Sequence, residues 1–418
     1  MSQGSQTTER ESPVRASGSG LVGRACAPVL DAIDAAANEI VATLRELIRI
    51  RSVTGEEAEI GSYVERFCRE TGFRTEVLEA EPGRPNVLAT WDTGLPGPHF
   101  LLNDHLDTIP PGPPEYWTHP PFAGETADGR MYGRGAIDTK SGLTTILMAA
   151  RVLRHTGAAL RGKLSLLFTC DEEVGGAKGI QHIARCGRLQ ADMALVAEPT
   201  TLQIEIATKA RLNLGITTRG VATHGARPWL GHNAIDDMAD VIVALRGLEG
   251  VLAERRHPLL GRPSMNVGII AGGTVPNMVP NKCRVEVDRR LIPSETQDSA
   301  IGEIQAILDQ VARDRPGFSA TLEKLLWWPG YVLDRDVEIV QRAVRAFEAV
   351  TGRTPTVAGK DAGTDASWIF QLAGIPVVMF SPGDGKQAMN ADESVAISDL
   401  VLATKVVAQL TLDILSVH

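Results

Sequence analysis

The chain has 418 residues, 43% of them hydrophobic, and a formal charge of −9. That length predicts two or three domains with substantial cores, and the negative balance argues against a nucleic acid or an anionic membrane as partner. The five scattered cysteines (Cys26, Cys68, Cys170, Cys186, Cys283) form neither a CxxC pair nor a disulfide framework, which reads as reduced thiols in a cytoplasmic protein.

Residues 1–24 are rich in Ser, Gly, Thr, Glu and Arg and hold no apolar stretch, so a disordered tail is expected rather than a secretory signal. No segment reaches the roughly 18 apolar residues that a membrane span needs. The first helix is expected over 36–51, with Ile40, Val41, Leu44, Leu47 and Ile48 on one face. A short apolar run at 100–102 follows, then a helix over 141–155 and buried strands over 164–168 and 193–197. Strands alternating with helices predict an α/β layer with a mostly parallel sheet.

From about residue 208 the pattern changes. Leu212, Leu214 and Ile216 alternate with polar neighbours, as do Cys283, Val285 and Val287. With helices over 233–248 and 296–313 and strands near 265–270 and 320–326, the order is β-α-β-β-α-β, the ferredoxin-like pattern. We read 208–324 as an inserted small domain. The α/β style returns with a helix over 337–350, a strand over 376–380 and a closing helix over 395–416. The first domain is therefore expected to be discontinuous, 25–207 plus 325–418.

Several acids and one histidine fall just past the expected strand ends, where sites form in open parallel sheets. His105 and Asp107 follow 100–102, the pair Glu172-Glu173 follows 164–168, and Glu198 follows 193–197. Each alone reads as a surface carboxylate or a helix cap; their convergence points to a divalent cation. Imidazole plus carboxylates suits Zn, Mn or Co. Asp107 is placed to orient the His105 ring, and one member of the Glu172-Glu173 pair to take a proton from water.

These motifs carry a resemblance. They are His105-Leu106-Asp107-Thr108-Ile109-Pro110, Gly133-Arg134-Gly135-Ala136-Ile137-Asp138-Thr139-Lys140, Asp171-Glu172-Glu173-Val174-Gly175 and Ala197-Glu198-Pro199-Thr200. From about residue 38 onward the chain resembles the metallopeptidase and deacylase family of acetylornithine deacetylase, succinyl-diaminopimelate desuccinylase, aminoacylase and carboxypeptidase G. The resemblance implies a zinc-peptidase-like catalytic domain and an inserted lid that makes a homodimer or higher homo-oligomer. It implies that His105, Asp138 and Glu198 bind one metal, that Asp138 bridges to a second held by Glu173 and a late histidine, and that Glu172 is the general base and acid. It further implies that His224 reaches a neighbouring subunit's site, and that Asn277 and Arg290 grip a substrate carboxylate. The other histidines match no role, and Trp117, Trp229, Trp327 and Trp328 are expected mainly in cores or a dimer contact.

One position departs from the pattern. The late histidine falls in Lys386-Gln387-Ala388-Met389-Asn390-Ala391-Asp392-Glu393, where the residue is Met389. A neutral thioether is a poor ligand for Mn, Zn or Co among carboxylates. The expectation is therefore one working metal per chain. The chemistry expected is hydrolysis of a C–N bond in a small carboxylate-bearing substrate. The branch of the resemblance that fits a single metal is the aminohydrolase acting on 5-nitroanthranilate; the alternative is an N-acyl-amino-acid deacylase or dipeptidase. A non-catalytic binding protein on this scaffold would have no need of Glu172.

Overall fold

The computed structural model describes residues 19–417. Most of the expected tail lies outside them, and a helix, Ser19–Ala35, already begins within its last residues.

A nine-stranded sheet organises the larger domain. At its centre Lys163–Thr169, His99–His105, Met193–Val196 and Val377–Met379 run parallel to one another. After Lys163, every residue of Lys163–Thr169 is buried, and so is every residue of Met193–Val196. These are the continuous apolar runs that a strand covered on both faces requires. The flanks are mainly antiparallel, although Val357–Lys360 pairs parallel with Ile204–Thr208. Arg74–Glu79 and Pro85–Asp92 extend one side, and Ile204–Thr208 with Tyr331–Val332 the other. The sheet is thus parallel at its centre, as expected, and the antiparallel strands lie on its flanks, where only Arg74–Glu79 and Pro85–Asp92 form a hairpin.

Helices cover both faces of this sheet. Ala37–Arg49 buries Ile40, Thr43, Leu44, Leu47 and Ile48, while Val41 is half-buried at the edge of the apolar stripe. Lys140–His155, Glu338–Thr351 and Ile397–Leu415 pack beside it in one contiguous core. Glu338–Thr351 stops at Gly352, whose φ of +67° suits a residue without Cβ. Among the described residues no helix is long and apolar enough to cross a membrane.

The second sheet is antiparallel throughout, in the order Ser264–Gly272, Lys282–Leu291, Ala210–Arg219, Ala320–Trp328. Two helices, Ala234–Glu254 and Gln297–Asp314, bury one face of it in a separate core. Asn233 caps the first by accepting from the N–H groups of Ile235 and Asp236, and Thr296 and Ser299 form a reciprocal capping box at the second. This is the ferredoxin-like lid. Its last strand continues to Trp328, past the expected boundary at 324. The chain crosses between the domains at 208–210 and 328–331, so the start of Ala210–Arg219 and the ends of Lys282–Leu291 and Ala320–Trp328 face the parallel sheet.

Candidate metal centre

His105 ends its strand and is 2% exposed. Its Nδ1 lies 2.9 Å from the main-chain oxygen of Asp107, which fixes the tautomer with Nδ1–H donating. Nε2 faces Asp138 Oδ1 at 3.1 Å and Glu198 Oε1 at 3.9 Å. The Asp107 carboxylate, expected to orient this ring, stands 3.5 Å from Nδ1 and has other partners. It accepts from the N–H groups of Glu172 at 3.0 Å and Glu173 at 3.2 Å, and from the Thr54 hydroxyl at 2.8 Å. Asp107 therefore orients the ring with its backbone and the glutamate pair with its side chain.

The turn that presents those glutamates is held from beneath. Asp171 adopts a left-handed φ of +69°. Its carboxylate accepts from Arg84 at 2.9 Å, and Arg84 pairs with buried Glu57 at 2.6 and 2.7 Å. Asp138 is held through its own backbone. The N–H groups of Ile137 and Asp138 donate to Glu393 Oε1 at 2.8 and 3.2 Å, while the other carboxylate oxygen binds Arg134. Glu393, which closes the segment that holds Met389, thus supports a candidate ligand.

His105, Glu172 and Glu198 each offer an atom within 4.8 Å of the others, and all three are buried. Asp138 adjoins this trio through the imidazole, and Glu173 through its neighbour. Excess negative charge is visible in the acids themselves. Burial, then the charges of Glu198, Asp365 and Glu173, push Glu172 well above the usual carboxylate range. Burial and Asp138 push Glu173 up to about 9. Burial opposes protonation of His105, yet Glu172, Asp107 and Asp138 outweigh it and raise the ring well above its ordinary value. Such a cluster asks for a cation, and its donor set of one imidazole nitrogen with carboxylate oxygens fits a divalent transition metal.

A cleft of about 340 Å³ opens over the cluster, lined by Asp138, Glu172, Glu173 and Glu198 and closed from the lid by Arg211 and Arg290. Trp328, Lys360 and Met389 complete much of the wall. Met389 is 53% exposed at a left-handed φ of +69°. Trp328 is a wall residue as well as a packed one, its indole N–H donating to the Thr364 carbonyl at 3.1 Å. Arg290 is paired with Asp288 at 2.8 and 3.1 Å.

Asn277 and His224 are not in this cleft. The lid register sets Ser264 beside Arg290 but Gly272 beside Cys283. The loop after Gly272, which carries Asn277, therefore leaves the sheet at the end away from Arg290, roughly 25 Å off at about 3.4 Å per residue. His224 follows Arg219 out of that same end, where the Gly225 N–H donates to the Asn277 carbonyl at 2.8 Å. Within one chain Asn277 does not join Arg290 in gripping a substrate. Sequence reasoning missed Arg211, Lys360, Glu205 and Asp365. Arg211 is the cross-strand partner of Arg290, a relation that only the register reveals. Lys360 ends the strand Val357–Lys360, and strand ends at this sheet edge were the one available signal.

The family model for peptidase family M20/M25/M40 matches residues 101–413, and the chain belongs to that family. It is a metal-dependent hydrolase acting on C–N bonds. Solved structures share the whole architecture. Human carnosine dipeptidase 1 is 17% identical, with 94% of this chain and 99% of that one covered at a TM-score of 0.77. Aminopeptidase PepT from Bacillus cereus is 22% identical over 90% and 98%, at 0.73. A dinuclear metal binding peptidase of the M20 family from Bacillus subtilis is 17% identical over 90% and 98%, at 0.70.

Proposed function

We propose that the chain is an aminohydrolase that releases ammonia from an activated aromatic amine bearing a carboxylate. The observation that carries this reading is Met389, whose exposed thioether forms part of the cleft wall beside the acids. A soft neutral sulfur favours one divalent cation over two, and with Trp328 it offers a ring an apolar flank. His105, Asp138 and Glu198 would hold that ion, Mn, Zn or Co, with Glu173 at its side. A bound cation supplies the Lewis acidity that makes water nucleophilic at neutral pH.

Glu172 takes a proton from water as the oxygen adds to the ring carbon bearing the amino group. The electron pair moves into the electron-withdrawing substituent. The C–N bond then breaks, and Glu172 returns its proton to nitrogen, which leaves as ammonia while hydroxyl replaces the amine. Arg290 and Arg211 meet the carboxylate. His224 and Asn277 serve the site only from a partner subunit, which fits a homodimer formed through the lid. Its edge strand Ser264–Gly272 carries exposed Ile269 and Ile270.

A second reading has its own support. Human carnosine dipeptidase 1 and an aminobenzoyl-glutamate utilization protein from Klebsiella pneumoniae share the fold. The arginine pair also suits the carboxylate of an N-acyl amino acid or dipeptide. Manganese-loaded protein incubated with nitro-substituted 2-aminobenzoates, N-acetyl amino acids and dipeptides separates the two. Ammonia with a hydroxybenzoate product supports the aminohydrolase; free amino acid without ammonia overturns it.

A further inference from the structure

Lys360 has no part in the chemistry above, yet its ammonium is built into the cleft. The side chain is 14% exposed. Nζ donates to the main-chain oxygen of Pro199 at 2.8 Å, which fixes it in place. From there it stands 3.7 Å from Glu198 Oε2 and 3.9 Å from Glu205 Oε2, and the latter oxygen is buried with no hydrogen-bond partner. A lysine held this way, on a single carbonyl between buried Glu198 and half-buried Glu205, is a positive charge beside a candidate metal ligand.

We propose that Lys360 acts as a fixed counter-charge that limits the centre to a single divalent ion. The inference rests on the metal-centre reading of His105, Asp138 and Glu198. A charge about 4 Å from a ligand oxygen, in a cleft that excludes much of the water, offsets a sizeable part of the attraction an incoming cation feels. Met389 removes a ligand from the second position; Lys360, beside Glu198, lowers the net negative charge of the whole acid cluster, so that less of it remains to draw in a second ion. The two act independently, one through donor chemistry and the other through charge.

The test is a manganese titration of the full chain, with free ion counted by electron paramagnetic resonance at fixed ionic strength. Wild type is compared with Lys360→Met, Lys360→Gln and Lys360→Arg. Glutamine can keep the hydrogen bond to Pro199 while losing the charge, so it separates charge from positioning and remains informative where methionine disturbs the fold. The expected result is that Lys360→Met and Lys360→Gln bind manganese at least about tenfold more tightly, with uptake rising above one ion per chain, while Lys360→Arg matches wild type. Unchanged or weaker binding in Lys360→Gln overturns the proposal and leaves Lys360 as a prop for Glu198. A wild-type chain that binds no manganese overturns the metal-centre reading, and this inference with it.

Discussion

Arg211 and Arg290 are direct cross-strand partners in the lid sheet, and both line the cleft over the candidate metal ligands. Asp288 serves both, at 2.8 and 3.1 Å from Arg290 and 3.6 Å from Arg211. Two guanidiniums sharing one carboxylate leave donors for a substrate anion. Burial and the neighbouring Arg290 lower the Arg211 pKa, a sign of mutual repulsion that an anion would relieve. Replacing either arginine by methionine should raise KM by about 10- to 100-fold, the range for losing a charge-assisted hydrogen bond, with a smaller effect on kcat. Steady-state kinetics on both single variants and the double variant checks this. A double variant no worse than either single one is the expected mark of one shared anion site.

Asp107 is the joint between the imidazole and the glutamate pair. Asp107→Asn sets an amide against N–H groups that now donate to a carboxylate, so the Glu172 turn must shift. We expect kcat to fall by about 100-fold and metal affinity by 10- to 100-fold. Glu172→Gln should lower turnover at least as far, in the range of about 100- to 10,000-fold for a lost general base, with metal affinity largely kept. Metal titration of the two variants beside kcat distinguishes a positioning residue from a proton carrier. Equal metal affinities in the two would refute the assignment of Asp107.

Much of this arrangement is legible in the sequence because it depends on strand ends. The runs before His105, Glu172 and Glu198 are apolar enough to mark buried strands, and a parallel sheet brings their ends to one edge. The flanking strands carry no such signal of direction: Arg74–Glu79 is polar and Tyr331–Val332 only two residues long, and the antiparallel pairing of Pro85–Asp92 and Ile204–Thr208 with the central strands makes the sheet mixed. What depends on register stays hidden. Nothing local to Arg211 says that it faces Arg290, and nothing local to Asn277 says that it lies at the opposite end of the lid. Likewise Lys360 is an unremarked lysine until its ammonium is found between Glu198 and Glu205.

His99 offers a pH signature away from the metal centre. Burial and then the charge of Lys163 depress its pKa, against the pull of Asp192 and Asp92, while its Nε2 contacts the Ser165 hydroxyl at 2.8 Å. A depressed folded value means that the unfolded chain binds this proton first. Stability linked to His99 is therefore full above its unfolded value of about 6.5 and is lost as pH falls from there toward the folded pKa. His99→Gln keeps a partner for Ser165 and removes the titration. Its Tm should fall less than that of wild type between pH 7.5 and pH 5.5, as read by scanning calorimetry. Parallel Tm profiles would show that His99 contributes no such linkage.

Met389 is the position on which the count of metal ions turns, and its geometry makes the test a fair one. The residue already holds a left-handed φ of +69°, a region that histidine enters more readily than most residues. Its carbonyl accepts from Arg134 at 3.3 Å, so the loop is tied to the residue that also holds Glu393. Met389→His would therefore place an imidazole on the cleft wall without reshaping the loop. With Asp138 and Glu173 it brings the protein ligands for a second ion to three. Elemental analysis after manganese loading and desalting should show uptake rising from about one ion per chain toward two, with the second bound more weakly beside Lys360. If the variant takes up no additional ion, the thioether is not what limits the centre, and the choice between one and two metals rests on the charge at Lys360 instead.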